Sequence, residues 1–215
     1  MIRSHIPAHL KRPFRPLDRL WRAHLLRVEL SRLGGTISPR RMHRLSLGWS
    51  NGGYEADGTY LSLVAKYAAK ANGPVLECGS GISTLVASAY SQHGIWSLDH
   101  MPEWVAKTNL ALKQQQLPPS VVHAPLVDYD EYEWYRLPRN LPERFALVIC
   151  DGPPSETTRG GRYGLLPQLS DRLSDALILV DDTSRPSDRL TVERWVAEFS
   201  VEALMTGRHT VVRCR

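Results

Sequence analysis

The stretch from residue 75 to residue 84, VLECGSGIST, constrains the fold more than any other part of the chain. It places a short apolar run directly before a glycine-rich turn and the start of a helical pattern. Glycines at such a turn let the backbone approach a ligand, and the free amides of the helix start favour its negative or polar groups. Asp99 lies 22 residues after Glu77, at the predicted end of the next strand. A carboxylate there can accept hydrogen bonds from both hydroxyls of a ribose, so the stretch predicts a nucleoside-cofactor site.

The rest of the chain alternates short apolar runs with helical patterns. Apolar runs predict strands at 75–78, 95–98, 121–122, 145–150 and 176–180. Helical patterns lie over about 58–71, 83–90, 102–116 and 189–199, and runs at 201–204 and 210–213 predict a closing hairpin. Short apolar strands separated by helices are typical of a parallel sheet covered on both faces. The chain is therefore predicted to form an α/β fold: a Rossmann-like, mostly parallel seven-stranded sheet with helices on both faces and an antiparallel C-terminal hairpin.

The first 57 residues differ from the rest in charge and pattern. Residues 1–45 carry eleven Lys or Arg and two acidic residues, whereas the remaining residues carry 16 basic and 20 acidic side chains. Apolar residues recurring at spacings of three and four predict a helix over 16–33, and Pro39 is expected to break the pattern. Residues 48–53 (GWSNGG) have the composition of a loop. We therefore divide the chain into a basic helical N-terminal extension with a lid-like loop (1–57) and a body (58–215).

Composition argues against several classes of protein. The chain has 42% hydrophobic and 23% charged residues, as is usual for a globular domain. It contains no run of 18 apolar residues, which argues against a transmembrane helix, and no apolar segment of signal-peptide type follows the basic N-terminus.

The cysteines at 78, 150 and 214 are widely spaced, and the first two lie in apolar runs. We interpret them as reduced core residues and expect a cytoplasmic location.

The motif Glu77-x-Gly79-x-Gly81, with Asp99 after the next strand, resembles motif I of class I S-adenosylmethionine (SAM)-dependent methyltransferases. The runs FALVICDGPP (145–154) and ALILVDD (176–182) are similar to the fourth-strand and fifth-strand motifs of that family. The likeness covers about residues 58–213. It implies SAM as the cofactor and methyl transfer as the activity.

The resemblance also implies roles for individual residues. Glu77 would lie beside the cationic methionine end of SAM, and Asp99 would hold the ribose. The segment 123–126 would touch the adenine, and Trp49 falls where such enzymes often fold a lid over the cofactor. The expected cofactor-binding residues are Glu77, Gly79, Gly81, Ser83, Thr84, Asp99, His100 and Leu126.

Three acidic residues end two of the predicted strands. Asp151 ends one strand, and Asp181 and Asp182 end the next, 30 and 31 residues later. Carboxylates that meet at one edge of a sheet repel one another unless they are protonated, hydrogen-bonded or bridged by a cation, and oxygen ligands suit Mg²⁺. The arrangement is similar to the triad of metal-dependent O-methyltransferases, which implies Mg²⁺ on these three residues and Asp151 as the catalytic residue. Pro154 stands where catechol-type enzymes have a lysine base.

Several alternatives remain open at this stage. Asp151 can contact the cofactor or the acceptor without a metal, while Asp181 or Asp182 caps a helix or turn. Another SAM-fold reaction such as aminopropyl transfer, or a nicotinamide dehydrogenase, competes with methyl transfer, although Thr84 fills the third small-residue position of the dinucleotide fingerprint. The basic extension also fits a module that binds nucleic acid or a membrane surface.

The expected partner is a small-molecule or sugar-type acceptor that is methylated on oxygen. Arg159 and Arg162, in the polar loop 155–164, are expected to hold an anionic acceptor. Peripheral membrane contact through the basic N-terminal helix and assembly into a homo-oligomer are compatible with the sequence. Nucleic acid is not the expected partner.

Overall fold

The computed structural model describes residues 15–49 and 56–215. Its helices are α1 (Arg15–Leu30), α2 (Pro39–Trp49), α3 (Gly58–Ala68), α4 (Ile82–Tyr90), α5 (Pro102–Gln114), α6 (Leu165–Leu169) and α7 (Pro186–Glu198). Its strands are β1 (Val75–Cys78), β2 (Ile95–Asp99), β3 (Val121–His123), β4 (Leu126–Asp128), β5 (Glu133–Tyr135), β6 (Leu147–Cys150), β7 (Leu177–Val180), β8 (Val201–Thr206) and β9 (His209–Cys214). Within these ranges no helix is long and apolar enough to span a membrane.

Seven strands form one sheet in the order β3-β2-β1-β6-β7-β9-β8, while β4 and β5 form a separate antiparallel pair. Strands β1, β2, β3, β6 and β7 run parallel, and β9 pairs antiparallel with both β7 and β8. The strand order reverses at β1, which lies between β2 and β6. In open sheets of this kind, ligands bind outside the carboxyl ends of the strands at such a reversal. The predicted Rossmann-like sheet with its antiparallel C-terminal hairpin is confirmed.

Side chains of the central strands alternate between two apolar clusters, one on each face of the sheet. In β1, Leu76 and Cys78 pack on one face and Val75 on the other. The first face is covered by α6, α7 and the β4–β5 pair, and the second by α2, α3, α4 and α5. Because successive strand residues point to opposite faces, burial on both sides explains why these strands are apolar throughout. The prediction of helices on both faces is confirmed.

The three cysteines are free and buried, in agreement with their interpretation as reduced core residues. Burial raises the pKa of Cys150 to about 12 and that of Cys214 to about 11. Burial also raises the pKa of Cys78 well above its usual value. Since the thiolate is the reactive form, none of these thiols is poised for nucleophilic chemistry near neutral pH.

Helix α2 corrects two predictions for the N-terminal extension. Pro39 begins this helix rather than ending a helical pattern, because proline is well suited to a first helical turn. Gly48 and Trp49, predicted as loop, are its last residues. The rest of the predicted lid-like loop, residues 50–55, lies outside the described residues. Met42 and Leu45 of α2 join the apolar cluster of α3 and α4, so the extension shares a core with the body, and the division at residue 57 stays a prediction.

Helix α1 packs against α2 and buries Leu25 and Leu30. Leu20 and Trp21 stay exposed on the same helix. Contact between this basic helix and a membrane or a second subunit therefore stays a prediction.

The sequence pattern does not reveal the β4–β5 pair. Each of its strands has three residues, which is too short for a hydrophobic period to be recognised. Asp130 lies in the turn between them with a φ of 65°, a conformation that aspartate tolerates better than most residues. The pair packs Trp134 and Tyr135 onto the sheet and forms one wall above the carboxyl ends of β1 and β6.

Candidate active site

The turn after β1 packs directly against the turn after β6. Gly79 has a φ of +88°, and a Cβ atom at this position would lie 2.9 Å from the backbone nitrogen of Gly152. Both the left-handed backbone and the close approach require glycine here. The contact brings Asp151, which precedes Gly152, next to the glycine turn.

Asp99 ends β2 and is held over the glycine turn. Its Oδ2 accepts hydrogen bonds from the amide and the hydroxyl of Ser80, at 2.8 and 2.6 Å, and its Oδ1 accepts one from the amide of Met101 at 2.9 Å. Asp99 is 5% exposed. Each carboxylate oxygen has more than one lone pair, so the fixed side chain can still accept hydrogen bonds from a ligand. Ser80 was not among the predicted site residues, because a serine between two glycines carries no signal in the sequence pattern.

Glu77 lies fully buried on the other side of the same turn. Its Oε2 accepts hydrogen bonds from the hydroxyls of Ser97 and Thr84, at 2.5 and 2.6 Å. Its Oε1 makes no hydrogen bond of standard geometry within the described parts of the chain, and the Ser83 hydroxyl lies close enough to lower the pKa of this carboxyl. Burial raises the pKa of Glu77 to about 7, although the surrounding hydroxyls oppose the shift. A buried carboxyl with one unpartnered oxygen is suited to a cationic ligand, which would stabilise its ionised form.

The raised pKa of Glu77 predicts a pH dependence of stability. Between its ordinary pKa and about 7, the folded protein binds more protons at Glu77 than the unfolded chain does. Glu77 therefore lowers the free energy of unfolding as pH rises through this range, by up to about 3 kcal/mol. We expect Glu77→Gln, which keeps the size but cannot titrate, to show a flatter curve in urea unfolding from about pH 5 to about pH 8. Parallel curves for the two proteins would contradict the shift.

Ser83 and Thr84 are buried in the first turn of α4. The Thr84 hydroxyl donates to Glu77 and accepts a hydrogen bond from the amide of Gly81 at 2.9 Å. The Thr84 hydroxyl thus uses both its donor hydrogen and its acceptor oxygen on residues of the turn. Its geometry suits a residue that orients Glu77 and Gly81, while the predicted direct contacts of Ser83 and Thr84 with a cofactor stay predictions.

His100 and Leu126 border the same region. The Nδ1 atom of His100 lies 3.8 Å from Oδ1 of Asp99, and its ring lies 6.3 Å from that of Tyr135. Leu126 is the first residue of β4 and packs against the apolar cluster of that face. The Tyr135 hydroxyl is buried at Gly152 and has no hydrogen-bond partner among the described residues. These side chains supply an aromatic and apolar wall beside Asp99.

Asp151, Asp181 and Asp182 converge, as predicted. One ligand oxygen from each lies within 4.8 Å of the others. The parallel pairing of β6 with β7, which sets Cys150 opposite Val180, brings the three residues together. Burial raises the pKa of Asp151 well above its usual value, Asp181 raises it further, and Arg162 opposes the shift.

Each of these carboxylates already has a basic partner within the protein. Asp151 Oδ1 lies 3.1 Å from Arg162 Nη2, Asp181 Oδ1 lies 2.8 Å from His209 Nδ1, and Asp182 Oδ1 and Oδ2 lie 2.8 Å from Arg208 Nε and Arg185 Nη2. The carboxylate oxygens are ligands that suit Mg²⁺, but the ion would compete for them with the three guanidinium groups.

Arg162 corrects a prediction. It is 2% exposed, so it is enclosed by protein and does not hold an acceptor. Its guanidinium donates to the carbonyl oxygens of Asp151 and Asp181, at 2.9 and 2.5 Å, and lies 3.3 Å from Oδ1 of Asp188 in α7. The side chain thus ties the ends of β6 and β7 to α7. Arg159 is half exposed and pairs with Asp128.

Comparison with protein-family models and with curated proteins finds no match for this sequence. Solved structures do match. A methyltransferase of Podospora anserina with bound S-adenosylhomocysteine (SAH) has a TM-score of 0.59 at 14% identity, with all of both chains covered. An O-methyltransferase of Bacillus cereus in complex with SAH has a TM-score of 0.59 at 14% identity over 82% of this chain and 90% of that one. The O-methyltransferase TomG of Streptomyces achromogenes, in complex with SAM, has a TM-score of 0.54 at 13% identity over 93% and 95%.

These likenesses extend over most of each chain. They show that the protein has the Rossmann-like fold of class I SAM-dependent methyltransferases. The resemblance that the sequence motifs indicated is confirmed at the level of the fold.

Proposed function

We propose that this protein is a SAM-dependent methyltransferase. The observation that carries the proposal is the pair of carboxylates at the glycine turn, with Asp99 above it and the unpartnered oxygen of Glu77 beneath it. Asp99 offers acceptor oxygens to ribose hydroxyls, and Glu77 offers a carboxylate to a cationic group. SAM, when bound, would supply an electrophilic methyl group. The bound SAH or SAM of the structural neighbours supports this choice of cofactor.

We infer that Asp151 acts on the acceptor. Methyl transfer is an in-line displacement, so the protein contributes alignment and a deprotonated acceptor. The Asp151 side chain is 22% exposed at the same edge of the sheet. Its raised pKa makes its ionised form a stronger base than an ordinary aspartate. Asp151 is therefore suited to take a proton from the acceptor as the methyl group is transferred.

Oxygen is the acceptor atom that we propose, in a small-molecule or sugar-type hydroxyl. A hydroxyl needs a base to become a good nucleophile, and Asp151 can serve as one. Two of the structural neighbours described above are O-methyltransferases, which supports the same choice.

A second candidate adds Mg²⁺ to the same site. The observation that favours it is the cluster of Asp151, Asp181 and Asp182. A bound Mg²⁺ would acidify an acceptor hydroxyl. For this candidate, excess chelator should abolish turnover and added Mg²⁺ should restore it. Turnover that persists in chelator would leave Asp151 as the base without an ion.

Binding of SAH tests the proposed function. We expect the parent protein to bind SAH and Asp99→Ala to bind it at least about tenfold more weakly, because hydrogen bonds to a charged group are each worth about 1.5–3 kcal/mol. Isothermal titration calorimetry measures both affinities. Asp171→Ala, at an exposed aspartate near the opposite end of the sheet, is the matched control and should bind like the parent. A parent protein that does not bind SAH would remove the proposal.

A further inference from the structure

Trp49 carries a buried polar group to which the described part of the chain offers no partner. The side chain is 5% exposed at the end of α2, yet its indole nitrogen Nε1 has no hydrogen-bond partner among the described residues. An indole N–H can only donate, and a buried donor without an acceptor costs free energy. The missing partner is therefore an acceptor that residues 15–49 and 56–215 do not supply.

The unpartnered N–H lies at the glycine turn. A Cβ atom on Gly81 would lie 3.7 Å from Trp49 Nε1, the one contact within 4 Å that it would make with more distant parts of the described chain. Gly81 is the residue before α4, a helix of nine residues, and has no side chain to cap it. The start of a helix favours a negative group. Trp49 Nε1 and the first turn of α4 thus border one place, at Gly81, where an anionic acceptor would meet donors from both.

Two charged side chains lie close to Trp49 and the glycine turn. The ammonium group of Lys107 lies 4.5 Å from the centre of the Trp49 ring and 4.3 Å from that of Trp104. Thr84 links the place to the buried carboxyl of Glu77, since its hydroxyl bonds both Glu77 and the Gly81 amide. Among the described residues, one unpartnered acceptor on Glu77 and one unpartnered donor on Trp49 therefore lie around the glycine turn.

A zwitterionic amino-acid group matches this pair. Its ammonium suits the unpartnered oxygen of Glu77, and its carboxylate suits the indole N–H and the helix start. We propose that Trp49 binds the cofactor by donating its indole N–H to the carboxylate of the methionine part of SAM. The inference rests on the proposed function and extends it, because it makes the N-terminal helix α2 part of the cofactor site.

Two ligands and two tryptophan variants test this assignment by calorimetry. SAH carries the amino-acid group, and 5′-methylthioadenosine has the same adenosine and thioether without it. Trp49→Phe keeps an aromatic ring but removes the N–H, so SAH should bind at least about tenfold more weakly while methylthioadenosine binds as before. Trp104→Phe, on the other tryptophan beside Lys107, is the matched control and should leave both affinities unchanged.

A second variant covers the case in which Trp49→Phe does not fold. Gly81→Ala places a methyl group between Nε1 and the ligand, and the extended backbone of Gly81 accepts alanine. It too should weaken SAH more than methylthioadenosine. Equal weakening of both ligands, or unchanged SAH affinity in Trp49→Phe, would overturn the role of Trp49. A parent protein that binds neither ligand would instead overturn the proposed function, and this inference with it.

Discussion

Replacement of Asp151 by asparagine is expected to lower turnover at least about 100-fold, the usual contribution of a general base. The amide keeps the size of the side chain but cannot take a proton from the acceptor. SAH affinity should stay unchanged, because the residues assigned to the cofactor lie on β1, β2, β4, α2, α4 and the turns after β1 and β2, whereas Asp151 follows β6. Turnover by the parent should rise with pH as Asp151 ionises, and that rise should be missing from the variant. Initial rates with a competent acceptor, together with SAH titration, measure both effects.

The control for Asp151→Asn is Glu156→Gln. Glu156 is an exposed carboxylate in the same loop after β6, where it pairs with Arg185. The same loss of a carboxylate there should leave turnover close to that of the parent. Retained turnover in Asp151→Asn would show that another group deprotonates the acceptor. Repeating the parent measurement in excess chelator separates a metal-free base from the Mg²⁺ candidate.

The cofactor half of the site is the part that local sequence best predicts. Glu77, Gly79 and Asp99 lie at or just beyond the carboxyl ends of two consecutive strands, and the parallel arrangement of β1 and β2 brings those ends together. The same reasoning places Asp151 beside Asp181, because β6 and β7 are parallel neighbours. These residues could be predicted because the end of a strand in a parallel sheet fixes where a side chain lies.

The partners of the acidic cluster could not be predicted in this way. His209 reaches Asp181 because β9 pairs antiparallel with β7 in a register that sets Thr210 opposite Val180. A shift of register by one residue would turn the strand's side chains to the other face, and the sequence pattern does not fix that register closely enough. The burial of Arg162 could not be predicted for a different reason. Its glycine-rich loop has the composition of an exposed segment, but the arginine is buried because it forms ion pairs with Asp151 and Asp188 inside the protein.

Loss of Arg162 is also expected to lower stability strongly. In Arg162→Met the carboxylates of Asp151 and Asp188 lose their shared guanidinium inside the protein. Removing one partner of a buried ion pair typically lowers the free energy of unfolding by about 3–5 kcal/mol. Arg159→Met is the matched control, since the Arg159–Asp128 pair is exposed and its loss should leave the free energy of unfolding close to that of the parent. Urea unfolding of both variants measures the difference.

The pH dependence of the free energy of unfolding of Arg162→Met shows whether the lost charge causes the loss of stability. In the parent, Arg162 opposes the increase that burial produces in the pKa of Asp151 and of Asp188. Without it both pKa values should rise further, so the folded variant holds more protons than the unfolded chain, and its stability falls as pH increases. The deficit in stability relative to the parent should therefore be larger at about pH 8 than at about pH 6.

If Mg²⁺ can occupy the cluster in place of the guanidinium, added Mg²⁺ should stabilise this variant more than the parent. The reason is that an ion that binds only the folded state stabilises that state. A deficit that is independent of pH and of Mg²⁺ would mean that Arg162 stabilises the fold through packing and its bonds to the carbonyl oxygens, and not through the charge of the cluster.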